Sequence, residues 1–420
     1  MHEARPVPLQ HPRKRVMMHS PIHFDLGSPA FKRNPYLVYA RLRQEGPVTR
    51  TTLGWRRPVW VIARYGDVSD LLRDGRFAKD PLNARDPGRR SPAPWVPGFL
   101  RPLTRNMLDL DAPDHTRLRA LVQKAFTPRL VDALRPRVQA IVDDLLTEAA
   151  RNGRAELIRD LALPLPLTVI AELLGVPAPD QPRFHQWSER ILSGSPGIGA
   201  LLLLPAVRSL LRYLRGLFAE RRATPREDLI TALVQAEEAG DRLSEDELLG
   251  MVFLLLAAGH ETTVNLIGSG VLTLLQHPEQ RDRLRQDPSL IKSAVEELVR
   301  FTSPVEVATE RYAREDVMIG GVSIRRGEMV LGLIGSANRD GSQFTDPDTL
   351  DLTRDPNRHL GFGLGAHYCL GAPLARLETH VALSSLLERA PNLRLAVPPD
   401  ALRWRKHVFL RGVRELPVLL

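Results

Sequence analysis

One cysteine stands in 420 residues. Internal disulfides are therefore impossible, and so are cysteine-rich zinc or iron–sulfur sites. A lone thiol fits a reducing cytoplasm. Aromatic residues make up only 5% of the chain, which leaves few platforms for nucleic-acid bases to stack on. Long hydrophobic runs are scarce too. The longest, Pro196–Val207 and Leu248–Gly259, span 12 residues each, short of the roughly 20 that cross a bilayer. The N-terminus, MHEARPVPLQHPRKRVMMHS, lacks the apolar stretch of a signal peptide, and residues 1–20 read as a flexible basic arm. The net charge is +9, but Lys and Arg are interleaved with Asp and Glu, which argues against nucleic acid as a partner. The excess suits solubility or an acidic protein partner. Residues 21–420 have ordinary globular composition and read as one folded domain without stable membrane insertion.

The pattern is helix-dominated with small peripheral sheets, and no repeated strand–helix units of a Rossmann or barrel architecture are visible. VTRTTL and PVWVIA around Gly54 read as a hairpin. Residues 75–106 form a Pro/Gly/Arg-rich loop, packed through Trp95, Phe99 and Leu100. Thr127-Pro128 predicts a capped helix over 129–151, and Thr224-Pro225-Arg226-Glu227 predicts another helix start. The box Ser244-Glu245-Asp246-Glu247 opens a helix over about 245–275 that is apolar almost all round, so it runs through the core. Asp287-Pro288 begins a helix reaching Arg300. Residues 315–333 alternate and turn at Gly320-Gly321 and Gly327, as a small sheet does. A helix covers Leu374–Leu387, and the tail from 393 is extended.

Cys369 sits in HLGFGLGAHYCLGAPLAR, residues 359–376, with glycines at 361, 363, 365 and 371. Such density lets backbone approach a flat, bulky object. A thiol at a helix start lies near positive dipole ends, which favours thiolate. A haem ligand, a catalytic or regulatory thiol and an inert buried cysteine all fit these residues.

Phe362–Gly371, FGLGAHYCLG, fills every position of Phe-Gly-x-Gly-x-His-x-Cys-x-Gly. It resembles the haem-binding signature of the cytochromes P450, and GAPLAR after it resembles the soluble bacterial branch. The resemblance runs from about Phe24 to Leu420. It implies the P450 fold, mainly α with small peripheral sheets, with haem b between the long central helix and the cysteine loop and Cys369 as axial ligand. Ala258-Gly259-His260-Glu261-Thr262-Thr263 resembles the family's oxygen-activation stretch, with Glu261 and Thr262 as the acid–alcohol pair that relays protons. Glu297 and Arg300 resemble its structural glutamate–arginine pair. By the same resemblance His115, Arg119, Arg311 and His367 bind the haem propionates, with Arg101 a weaker candidate, and Phe362 shields the thiolate. Arg117 is expected to point elsewhere, toward the surface.

The implied activity is haem-thiolate monooxygenation of a lipophilic small molecule with O2. Electrons would come from a separate ferredoxin or flavodoxin and its NAD(P)H-dependent reductase, docking near Arg117, Lys124 and Arg376. Leu254, Ala258, Val305 and Val307 are expected to line the substrate pocket. The apolar run 193–207 reads as an access lid, a core piece or an association surface. The alternatives are a peroxide-driven peroxygenase, disfavoured by the intact Glu261-Thr262, and a non-enzymatic haem-binding sensor or carrier. A zinc hydrolase through His260-Glu261 fails because position 264 is Val. A dinucleotide fold on Gly361–Gly365 fails on spacing. A hydrolase using Cys369 and His367 lacks a visible third group.

Overall fold

The computed structural model describes residues 24–53, 57–85, 100–104, 106–151, 153–192, 199–238 and 241–420. The expected basic arm, Trp95, Phe99, the turn at Gly54 and the 193–198 part of the apolar run lie outside them.

The long helix Glu245–Gln276 is the axis of the core. The Ser244 hydroxyl accepts from the Glu247 N–H, and the Glu247 carboxylate accepts from the Ser244 N–H at 2.8 Å, a reciprocal cap that fixes the helix start. The helices Pro164–Leu173, Ile291–Thr302 and Ala372–Arg389 pack around it. By length and composition it is apolar enough to cross a membrane, but it supplies Leu248–Val252 and Val264–Leu274 to the largest hydrophobic cluster.

Five short strands form the main sheet, in the spatial order Val48–Leu53, Arg57–Ile62, Met329–Gly332, Arg311–Ala313, Phe77–Ala78. Val48 pairs with Ile62 across the predicted hairpin, and Val330 lies parallel to Trp60. The pair Val317–Ile319 and Val322–Ile324 turns through Gly320 and Gly321, whose φ of 55° and 81° favour glycine. In the tail, Pro417–Leu419 joins Arg394–Leu395 to Arg154–Glu156.

Three expectations are corrected. The helix read over 129–151 is two, Pro128–Ala133 and Arg135–Ala150. Pro136 has no N–H for the Asp132 carbonyl, so the ladder breaks there. The start read at Thr224–Glu227 falls at Asp228, which caps Leu229–Gln235 through the Thr231 N–H at 2.7 Å; Thr224 instead ends the preceding helix, Gly199–Ala223. Residues 315–333 do not make one sheet, because Met329–Gly332 leaves the local hairpin for the main sheet. Of the apolar run 193–207, the part from 199 begins that Gly199–Ala223 helix, with Ala206 and Val207 buried.

Candidate active site

The cysteine loop is held from behind by the helix Ile291–Thr302. Glu297 and Arg300 lie one turn apart with neither side chain exposed. The guanidinium donates to both carboxylate oxygens, at 2.7 and 2.8 Å. It also donates to the carbonyls of Asn338, Pro347 and Thr349. Glu297 in turn accepts from Arg354, Asn357 and the Asp351 N–H. Every donor and acceptor of this buried pair is therefore used. The Asn338 side chain carries the support into the loop, accepting from the Leu360 N–H at 2.8 Å.

Gly361 follows, so tight against that helix that a Cβ there would lie 2.3 Å from Val299 Cγ1. Gly363 and Gly365 have φ of 71° and 70°, the left-handed region an L side chain resists. The Cys369 N–H closes the loop on the Phe362 carbonyl at 2.9 Å, and the helix Ala372–Arg389 begins three residues on. Arg376 packs its guanidinium 4.3 Å from the centre of the Phe362 ring and grips Glu296 with two bonds, at 2.6 and 2.7 Å. Burial pushes the Cys369 thiol up. The N–H groups of Gly371 and Ala372 and the charges of Arg376 and Arg119 pull the other way. The sulfur-bearing residue is half-buried.

A cluster of basic side chains lies on one side of this loop. His115 and Arg119 share a face of the helix Asp114–Ala125. The rings of His115 and His367 lie 4.1 Å apart, and Arg119 donates to the Tyr368 carbonyl at 2.7 Å. Arg311 is 4% exposed, and among the described residues its side chain donates only to the Thr309 and Glu310 carbonyls, at 3.5 and 3.4 Å. Burial lowers Arg311 to about 10. Burial, with the charges of His115, Arg311 and Lys79, lowers His367 to about 3. Burial, Arg119 and Arg311 lower His115, whose Nε2 is buried without a partner among the described residues.

Lys79 belongs to this cluster and was not anticipated. It is 4% exposed, donates to Thr309 Oγ1 at 2.7 Å, and is lowered to about 7 by burial and by Arg311. Nothing in FAKDP marks it in the sequence; only the pairing of Phe77–Ala78 with Tyr312–Ala313 brings it to Arg311. Asp111 acts on Lys79, His115, Arg311 and His367 alike. Its oxygens, however, are taken by the N–H groups of Lys79 and Asp80, by Asn83 and by Arg314.

In the central helix, Thr262 Oγ donates back to the Ala258 carbonyl at 2.8 Å. Ala258 and Gly259 are exposed in the middle of this core helix, and a Cβ on Gly259 would meet nothing within 4 Å. Glu261 pairs with Arg405 at 3.6 Å; burial raises its carboxyl and Arg405 opposes the rise. Leu254 and Val305 keep partial exposure, but Val307 is 0% exposed inside a second cluster with Leu26 and Phe31. Val307 is therefore enclosed by that cluster and presents no surface of its own, contrary to the expectation that it lines a pocket. Arg117 does not point away to solvent: it is half-buried and pairs with Glu247. The Arg101 side chain lies outside the described residues.

The cytochrome P450 family profile matches residues 206–399. The polyketide biosynthesis cytochrome P450 PksS of Bacillus subtilis (strain 168) is 46% identical, over 93% of this chain and 96% of its own length. The chain belongs to the cytochrome P450 family. The P450 is also 46% identical to the mycinamicin IV hydroxylase/epoxidase of Micromonospora griseorubida, over 91% of this chain and 94% of that protein. The solved structure of PksS superposes with a TM-score of 0.88, at 44% identity, covering 95% of this chain and all of that one.

Family membership implies haem with a cysteine thiolate ligand. The residues fit such a group. The half-buried Cys369 stands in a glycine-rich loop, near a His115 Nε2 that has no partner among the described residues and an Arg311 guanidinium with only long bonds among them. Buried polar groups of this kind need hydrogen-bond partners, and haem carries two carboxylates that accept.

Proposed function

We propose that this P450 monooxygenates a bulky lipophilic small molecule by hydroxylation or epoxidation, with haem b held on Cys369. The observation that carries the reading is the grouping of Lys79, His115, Arg311 and His367, with Arg119 at the Tyr368 carbonyl, beside the loop of the chain's only cysteine. When bound, the haem supplies O2 activation and oxygen insertion. The balance for hydroxylation is R–H + O2 + 2 e⁻ + 2 H⁺ → R–OH + H2O.

The chain's own residues do the rest. His115, Arg119, Arg311 and His367 hold the propionates, and Lys79 adds positive charge behind them. Phe362, pinned under Arg376, covers one side of the sulfur. Glu261 takes a proton from solvent and gives one inward, ending unchanged, and Thr262 orients a water for that transfer. Leu254, Ala258 and Val305 exclude water from the substrate side. Relatives named for mycinamicin IV and vitamin D(3) favour a large, lipophilic substrate. Electrons come from a ferredoxin or flavodoxin and its NAD(P)H-dependent reductase, in the cytoplasm. Docking falls on the basic face that carries Arg117, Lys124 and Arg376, of which Lys124 is exposed, while Arg117 and Arg376 also pair with carboxylates of this chain.

The test is the absorbance spectrum of reduced, carbon-monoxide-treated protein. The red-shifted band characteristic of thiolate ligation is expected, and Cys369→Ala abolishes it. An unchanged band in that variant overturns the ligand assignment. Thr262→Ala is expected to divert reduced oxygen into peroxide, and full retention of productive turnover removes Thr262 from the relay.

A further inference from the structure

The tail of the chain reaches the proton relay from outside the central helix. Residues 403–414 form a hairpin in which Trp404 pairs with Val413, and the Arg414 N–H donates to the Arg403 carbonyl at 2.7 Å. Arg405 stands on it. Its backbone N–H bonds the Gly412 carbonyl at 3.0 Å, and its Nε donates to the Val413 carbonyl at 3.3 Å. With the stem and one guanidinium nitrogen committed, Nη1 is left 3.6 Å from Glu261 Oε1.

The hairpin is seated firmly enough to aim that group. Arg411, 7% exposed, stacks 4.2 Å from the Trp404 ring and donates to the Lys32 carbonyl at 2.8 Å. Phe409 accepts from the Glu306 N–H at 2.8 Å, and Val305 pairs with Leu410. One turn along the central helix from Glu261, Asn265 fills the place a Cβ would take on Gly412, whose ideal Cβ lies 2.0 Å from Asn265 Oδ1. Helix and hairpin are thus in contact at two successive turns, and only glycine at 412 permits it.

We propose that Arg405 is the positioning residue for the relay, fixing the Glu261 carboxylate at the solvent end of the path. Both side chains are partly open, 32% and 22% exposed, as the outer end of a proton path must be. Among the described residues Arg405 is the only charged group shown to act on the Glu261 carboxyl. On its own helix the neighbouring His260 also feels Arg405, and so does His407 on the hairpin. The proposal rests on Glu261 serving as the relay acid; the titration that tests the Arg405 contact requires no turnover, and a separate turnover measurement tests the acid.

The experiment is an infrared titration of resting holoenzyme. The carbonyl stretch of protonated Glu261 is identified by its loss in Glu261→Gln, and its midpoint is compared in wild type, Arg405→Gln, Arg405→Met and Arg405→Lys. Removing an opposite charge at this distance is expected to raise the midpoint by about one pH unit or more. Arg405→Met keeps the stem packing and covers the case in which the Gln variant folds poorly. Arg405→Lys is expected to return most of the shift, which a purely structural role would not predict. An unchanged midpoint in both neutral variants overturns the proposal. If instead the midpoint shifts but Glu261→Gln leaves peroxide release per NADPH unchanged, with spinach ferredoxin and its reductase supplying electrons, the acid reading fails and the proposal falls with it.

Discussion

Gly361 offers a sharp test of how the cysteine loop is seated. A Cβ at 361 would lie 2.3 Å from Val299 Cγ1, where carbon atoms prefer roughly 3.5–4.0 Å. Relief therefore needs a shift of more than about 1 Å. Val299 is 2% exposed and sits mid-helix, where a β-branched side chain has essentially one rotamer. The loop cannot simply retreat either, because the Gly361 N–H is bonded to His359 Nδ1 at 3.1 Å and the Leu360 N–H to Asn338. Gly361→Ala is accordingly expected to destabilise by about 1–3 kcal/mol through overpacking. Val299→Ala alone costs about 2 kcal/mol in lost burial and cavity. The two together should cost less than the sum by at least about 1 kcal/mol, because the space removed from one residue is returned by the other. Urea unfolding midpoints of the four proteins, at constant slope, measure this coupling. Strict additivity would refute the account of the loop resting on the helix through position 361.

Arg300→Lys keeps the charge but loses the planar fork, leaving buried carbonyls at Asn338, Pro347 and Thr349 short of donors; a loss of about 3–5 kcal/mol is expected in urea unfolding, and a loss under about 1 would contradict it. Burial would raise the Glu296 carboxyl, but bonds from Arg376 and His359 outweigh it and hold the group down to about 2. Its folded pKa lies below the unfolded value, so its stabilisation is full above about pH 4.5 and fades as pH falls toward 2. Glu296→Gln should flatten that acid limb of the stability curve; a limb of unchanged steepness would count against the pairing. Ser244→Ala removes one half of the reciprocal cap and is expected to cost about 1 kcal/mol, read as a lower urea midpoint.

Local signals were the most legible. Ser244–Glu247 announced the central helix because the cap is written in four adjacent residues, and the same holds for Thr127-Pro128. The cysteine loop was legible because each glycine in it answers a local demand on backbone or space. What the sequence hid depends on distant partners. Pro136 could be read as a break only against the ladder it interrupts. Asp228 outranks Thr224 as a cap because it is already held by Arg221. Lys79, Arg405 and the enclosure of Val307 come from sheet pairing and tail folding, in which residues far apart in the chain meet. No periodicity records such meetings. The pairing of Arg117 is hidden for the same reason, since Glu247 lies 130 residues away.

The solitary sulfhydryl makes this protein its own gauge. With one cysteine in 420 residues, every thiol reaction of the chain is a reaction of the loop at 369. A disulfide reagent consumes at most one equivalent per chain, and copies whose sulfur is engaged by iron do not consume it. Oxidative dimers can join at that loop alone. The fraction of free thiol in a preparation, followed over storage or heating, therefore counts the copies whose sulfur is neither engaged by iron nor oxidised, with no substrate and no spectrum required.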